Sequence, residues 1–155
     1  MSITKVLIAN RGEIAVRVAR AAREAGIRSV SVYTDADSDA MHVRLADEAY
    51  GIPAESYLDI AALLEVAKRS GSDAVHPGYG FLSERADFAQ AVIDMGLTWI
   101  GPDPETISLL GDKARARALA AKVGAPLGTG TNGPGNGVFD GISLAGNYGI
   151  PLLKK

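Results

Sequence analysis

At 155 residues, with 47% hydrophobic and 22% charged, the chain has the composition of one soluble domain long enough for a sizeable core. A formal net charge of −2 excludes a general attraction to nucleic acid or to an anionic membrane. Cysteine is absent, which excludes disulfides and thiolate chemistry and fits a reducing, cytoplasmic setting.

The first apolar stretch, Val6-Leu7-Ile8-Ala9, is too short for a signal peptide or a membrane span and reads as a buried strand. From Glu13 to Ala25, the residues Ile14, Val18, Ala21, Ala22 and Ala25 recur at helical spacing, and Gly26 ends that helix in a left-handed conformation. Ser29 to Tyr33 is the next strand, closed by the polar run Thr34 to Asp39. His42 to Ala46 predicts a short helix and Glu48 to Tyr50 a short strand. Asp59 to Arg69 is a strongly amphipathic helix with Ile60, Leu63, Leu64 and Ala67 on one side, stopped by Gly71. Ala74-Val75-His76 is a compact strand, Ala86 to Met95 a helix ended by Gly96, and Thr98-Trp99-Ile100 a further strand. This alternation predicts an α/β fold, a doubly wound and mostly parallel sheet with helices on both faces.

After Gly101 the alternation stops. Asp103-Pro104-Glu105 opens one helix, with Asp as cap and Pro at the first helical position. Asp112 caps a second, Lys113 to Val123, ended by Gly124 and Pro126. Two helices in succession read as a connector. Eight of the 18 glycines then fall between Gly128 and Gly149, where Asp140 is the only charged residue, so a glycine-rich loop or tail is expected there. There are no internal repeats.

Four features carry possible chemistry. Asn10-Arg11-Gly12-Glu13-Ile14 sits where the first strand turns into the first helix. A dinucleotide turn would carry three glycines at this place; here there is one, and Glu13 puts a negative charge where phosphate should bind. A tight turn with Arg11 and Glu13 in local polar contacts is the favoured reading. His76-Pro77-Gly78-Tyr79-Gly80-Phe81 follows the fourth strand, and a structural or domain-interface role is favoured over direct ligand contact. Arg17, Arg20 and Glu24 lie on the first helix, as a solvated charged face or as a subunit interface. Lys113 stands in a first helical turn, where the dipole disfavours a cation, and local rules tend to be broken at functional sites. Lys154 and Lys155 end an apolar run and either reach a phosphate or solubilise a terminus.

Taken together, KVLIANRGEIAVRVARAAREAGI, HVRLADEAY, ESYLDI, HPGYGFLSE, WIGP and GDKARARALAAKVGAP resemble the start of biotin carboxylase, the ATP-grasp component of acyl-CoA carboxylases. The resemblance runs from about residue 3 to residue 127, and its wording is that of the α subunits of bacterial acetyl- and propionyl-CoA carboxylases, though pyruvate carboxylase begins similarly. It implies a Rossmann-like pre-ATP-grasp domain over residues 1–112 and the incomplete start of the ATP-grasp region over 113–155. It further implies an enzyme that uses ATP with Mg²⁺ (or Mn²⁺) and bicarbonate to form carboxyphosphate and then carboxylates biotin held on a carrier protein. The ATP-contacting lysines of the family fall on Lys113 and Lys155, and its dimer contacts on Arg20 and Glu24. Expected partners are a biotin carboxyl carrier domain, a carboxyltransferase subunit and a second copy of the chain, with no nucleic acid and no membrane.

The chain also departs from the family. It is shorter between Tyr50 and Glu55. Gly128-Thr129-Gly130-Thr131 replaces Val-Pro-Gly-Ser/Thr, and Leu152-Leu153-Lys154-Lys155 replaces a β-branched run ending Ile-Lys-Ala. The family's phosphate loop, metal-binding glutamates, bicarbonate arginine and general base are all missing. No catalytic residue and no metal ligand is therefore expected in this sequence, and by itself it is expected to be inactive. The alternatives are a non-catalytic assembly or dimerisation module and the lead domain of another ATP-grasp ligase, of the pyruvate carboxylase or carbamoyl-phosphate synthetase type.

Overall fold

A computed structural model describes residues 2–53 and 56–126. The chain divides into two units, Met1–Ser108 and Leu109–Lys155. The first is built from β1 (Lys5–Ile8), α1 (Gly12–Glu24), β2 (Arg28–Tyr33), α2 (Met41–Leu45), β3 (Glu48–Gly51), α3 (Ile60–Ser70), β4 (Ala74–His76), α4 (Ala86–Asp94) and β5 (Thr98–Trp99). α5 (Pro104–Gly111) crosses the division, and α6 (Lys113–Lys122) belongs to the second unit. Gly128 to Gly149, expected as a loop or tail, and Lys155 lie outside the described residues.

The five strands are all parallel, in the order β3-β2-β1-β4-β5. Leu7 stands opposite Val30 on one side and Val75 on the other. Because side chains alternate along a strand, Leu7, Ala9, Val30, Val32 and Val75 share one face. There they meet Leu63, Val66 and Ala67 of α3 and Phe88 and Val92 of α4 in the main core. On the opposite face, Ile8 packs on Ala15 and Ala19 of α1. The doubly wound α/β architecture is as the alternation predicts.

Local chemistry sets the helix ends. Asp59 accepts the Ala62 N–H at 3.0 Å at the start of α3, and Gly71 closes that helix at φ +64°. Asp103 accepts the Thr106 N–H at 2.8 Å at the start of α5. The buried face of α1 differs from the expected one. Of the five apolar residues that mark α1 as a helix, only Ala22 is buried; the face turned to the sheet is Ala15, Val16, Ala19 and Ala22. Alanines let the helix backbone lie close to β1, while the larger Val18, half-buried, packs against the edge of the Ile8, Ala15 and Ala19 cluster.

His42 on α2 is 1% exposed. Its Nε2 lies 3.2 Å from the Val32 carbonyl, and its Nδ1 has no partner. Burial holds its pKa below the usual histidine value.

Candidate functional site

β1 and β4 are neighbours, and the chain leaves them for opposite faces of the sheet. In open α/β sheets that reversal opens a crevice at the carboxyl ends of the two strands, where ligands gather. Here the crevice is occupied by the protein itself. Asn10 follows β1 and is 1% exposed. Its Nδ2 donates to the carbonyls of Pro77 (2.7 Å) and Tyr79 (2.9 Å), and its Oδ1 accepts the Arg11 N–H at 2.8 Å. Gly78 completes the fit: its φ is +68°, and a Cβ there would stand 2.6 Å from Asn10 Nδ2. His76 Nδ1 accepts the Gly78 N–H at 3.0 Å, so the neutral ring carries its proton on Nε2. Burial lowers the His76 pKa.

The clamped loop presents aromatic side chains outward. Tyr79 is 58% and Phe81 42% exposed. Phe81 has φ +46°, a left-handed backbone that costs a non-glycine residue about 1 kcal/mol or more and persists only where the surroundings impose it. Its ring packs on Tyr57, with centroids 5.8 Å apart.

Beneath the loop runs a charged network. Tyr57 Oη donates to Asp37 at 2.6 Å, Arg11 pairs with Asp37 at 3.2 Å, and the Arg11 guanidinium lies 5.8 Å above the Tyr57 ring. Burial and the Asp37 carboxylate push the Tyr57 pKa up to about 12. The Tyr57 hydrogen bond, followed by the Arg11 charge, holds Asp37 below the usual carboxylate range. Tyr79 Oη donates to Glu13, which also pairs with Arg17 at 3.8 Å. Arg11 and Glu13 thus make polar contacts that are local, to Asn10 and Arg17, and others to Asp37 and Tyr79, distant in sequence, that tie three loops together. The ensemble is a rigid aromatic platform. It supplies no nucleophile held by a base, and a carboxylate stands where a phosphate would meet α1.

Of the residues singled out in the sequence, Arg20 and Glu24 are exposed on α1, and the ion pair on this helix joins Arg17 to Glu13 instead. Lys113 is the first residue of α6, whose free N–H groups are taken by Asp112, accepting from Ala114 at 2.8 Å and Arg115 at 3.0 Å. Lys155 lies outside the described residues. Among the described residues no three His, Asp or Glu side chains gather as a cation site. Sequence reasoning assigns no individual role to Asn10, Asp37 or Tyr57. An Asn directly after the first strand and a Pro-Gly after the fourth are a usable signal for the clamp. Tyr57 and Asp37 carry none, because only the fold brings them together.

A family model described as the N-terminal domain of biotin carboxylase matches residues 2–107. The chain belongs to this family. It is 55% identical to the biotin-dependent acyl-coenzyme A carboxylase alpha3 subunit of Mycobacterium leprae, over 99% of this chain and 26% of that protein. It is 52% identical to the mitochondrial pyruvate carboxylase of Rattus norvegicus, over 99% of this chain and 13% of that one. Among solved structures, the biotin carboxylase domain dimer of the Hydrogenobacter thermophilus 2-oxoglutarate carboxylase, in complex with MgADP, ADP and bicarbonate, superposes with a TM-score of 0.89. That match is 42% identical and covers 97% of this chain and 34% of that chain. This biotin carboxylase N-terminal domain therefore spans about a quarter of the acyl-CoA carboxylase subunit and about a third of the solved domain.

Proposed function

We propose that the chain serves as the N-terminal part of a biotin carboxylase within an acyl-CoA carboxylase, in the ATP-dependent carboxylation of carrier-bound biotin by bicarbonate. The observation that carries this reading is the crevice closed by Asn10 in a chain of this family. The domain does not cradle a nucleotide at its own strand ends; it presents a stiff loop to whatever lies beyond it. ATP then binds through residues further along the chain. Lys113 is one proposed ligand, at the start of an α6 whose cap Asp112 leaves a cation tolerable there, and Lys155 is the second. ATP supplies the phosphoryl group that activates bicarbonate, with Mg²⁺ as its counter-ion. The described residues contribute no cation cluster, so no metal step is assigned to them.

The relative crystallised as a dimer supports a second copy as partner. Arg20 lines a surface depression of about 410 Å³ between α1 and α2 together with Arg17 and Met41, and Met41 is 62% exposed. Met and Arg are residue types enriched at interfaces, and here an exposed methionine shares a depression with two arginines and Glu13. A biotin carboxyl carrier domain and a carboxyltransferase complete the proposed assembly.

The test joins this chain to the part of the Mycobacterium leprae alpha3 subunit that lies C-terminal to the matched region. ADP release dependent on both biotin and bicarbonate is expected from the joined protein and not from the chain alone. Lys113→Met in the joined protein raises the KM for ATP about tenfold, the loss of one charge-assisted contact. A folded joined protein without turnover refutes the reading, as does turnover by the chain alone.

A further inference from the structure

α2 lies over β2 and β3 beside α1, and polar contacts fasten it there. Its only buried residue is His42, and the three apolar clusters of the domain include none of its side chains. Beneath it β2 offers the buried hydroxyls of Ser29 and Ser31. Ser31 Oγ donates to the His42 carbonyl at 3.1 Å, and the His42 ring meets the Val32 carbonyl through Nε2. A carbonyl only accepts, so the neutral ring carries its proton on Nε2 and leaves Nδ1 as a bare acceptor. That nitrogen is sealed from solvent and has no partner. An aliphatic side chain would anchor the helix with no buried polar atom left unmatched. The position instead holds the one side-chain type whose charge ordinarily changes between pH 5 and 8.

We propose that His42 is a proton-operated latch: with a neutral ring it holds α2 on the sheet, and a second proton on the ring releases α2 while the sheet stays folded. The new proton can go only to Nδ1, where it meets no acceptor. A charged ring with an unmatched donor is unfavourable to keep dry, and burial accordingly lowers the His42 pKa. The charges around it do not supply the acceptor. Asp37 attracts the ring's charge but is engaged by Tyr57 and Arg11, and Arg11 opposes that charge. On α1, Glu13 is engaged by Tyr79 and Arg17, while Arg17 and Arg20 are cations on the wall of the same depression and Arg23 holds the Leu45 carbonyl at 2.7 Å. Arg44 of α2 pairs with Asp39, and Asp47 is bound by Ser29. Glu48 of β3 is held by Lys5, Arg28 and Tyr50, and β2 contributes only the hydroxyls of Ser29, Ser31 and Tyr33 to this face. Water is the remaining acceptor, and α2 must lift for water to reach Nδ1. The closed form is favoured in full above about pH 6.5, the value of a free ring, and loses ground as pH falls. Met41 shares the depression between α1 and α2 with Arg17, Arg20 and Glu13. Release therefore dismantles the surface proposed for a second copy, a consequence that rests on that reading.

Amide hydrogen exchange of the chain, measured against pH and urea, tests the latch. The Arg44 and Ala46 N–H groups donate to the carbonyls of Ala40 and His42, both at 3.3 Å, and report the opening of α2. Corrected for the intrinsic pH dependence of exchange, that opening should grow about tenfold from pH 7.5 to 5.5, the limit for one proton taken up by a ring that titrates near 6.5 when free. It should not respond to low urea, unlike the amides of β1 and β2, whose exchange requires the sheet to unfold. Absence of growth overturns the latch. So does a urea dependence equal to that of β2, which means that α2 leaves only with the whole fold. His42→Gln keeps an N–H donor for the Val32 carbonyl but takes up no proton, and it should abolish the pH response; His76→Asn should leave it intact. The reverse pattern overturns the proposal. If His42→Gln does not fold, the unsubstituted chain and His76→Asn still decide. Sedimentation of the protein joined to the C-terminal part of the alpha3 subunit reads the consequence: dimers that weaken on acidification, and do not in the His42→Gln form, are expected. Absence of dimers at every pH overturns the second-copy reading and leaves the latch to the exchange result. Dimers indifferent to acid while α2 opens overturn the consequence.

Discussion

Asn10→Ala should cost far more than a typical substitution outside a hydrophobic core. The side chain makes three hydrogen bonds to backbone groups, at 2.7, 2.8 and 2.9 Å, and is 1% exposed. At about 1 kcal/mol each, with the buried Pro77 carbonyl left unpaired, the expected loss is about 3 kcal/mol. With a urea m-value of roughly 1.5 kcal/mol/M, the unfolding midpoint falls by about 2 M. Urea titrations followed by circular dichroism measure this directly. Asn10→Asp sharpens the test. It keeps the acceptor for the Arg11 N–H but turns an oxygen toward the carbonyls of Pro77 and Tyr79. The new carboxyl is then held protonated in the fold, with its pKa raised above the unfolded value. Its contribution is present at low pH and lost as pH rises through the folded pKa. The deficit of this variant should therefore shrink on acidification. A midpoint shift below about 0.5 M for Asn10→Ala would mean that solvent replaces the clamp, and the case for a rigid platform would fail.

Gly78→Ala should destabilise the fold through its φ of +68° and through the 2.6 Å approach to Asn10 Nδ2. In an Asn10→Ala background part of the clash is relieved, so a double-mutant cycle should show coupling of about 1 kcal/mol; strict additivity would count against the contact. Asp112→Ala removes the acceptor for the Ala114 and Arg115 amides. Those amides should exchange about fivefold faster, for a cap worth about 1 kcal/mol, and unchanged rates would show that the cap is idle. His42 and His76 both have pKa values lowered by burial. The unfolded chain then binds more protons than the fold just below about pH 6.5, so stability present above that pH is lost as pH falls. Urea midpoints between about pH 7.5 and 5.5 report it. His76→Asn, which keeps an acceptor for the Gly78 N–H, should flatten the slope. A midpoint that rises on acidification contradicts this.

The strands and most helix ends are legible in the sequence because they depend on local chemistry: Asp103 and Asp112 as caps, and Gly26, Gly71, Gly96 and Gly124 as left-handed stops. The buried face of α1 is not. Helical spacing identifies a helix with apolar residues on it, but Ile14 and Val18 outrank alanine in hydrophobicity, and only the packing distance to β1 selects Ala15 and Ala19. At the site, the missing glycines and Glu13 set this turn apart from a dinucleotide turn in the sequence itself. The group that fills the crevice instead depends on Asn10 meeting a loop 67 residues away, a separation that no local pattern encodes.

The order of the strands bears on how the domain is made. β1 leaves the ribosome first and ends in the middle of the sheet; β2 and β3 then extend one side, and β4 and β5 the other. Each new strand meets an edge that already exists, and none has to be inserted between two that have paired. A nascent chain released only as far as Ser70 already holds every partner for one side of β1, while the other side waits for Ala74–His76. During that interval Val6, Ile8 and the backbone between them form an unpaired edge, the kind of surface that invites pairing with a foreign strand. Arrival of a three-residue strand closes it, and the same event lets Pro77 and Tyr79 dock on Asn10. Sealing the sheet and setting the loop are one step in the birth of this domain.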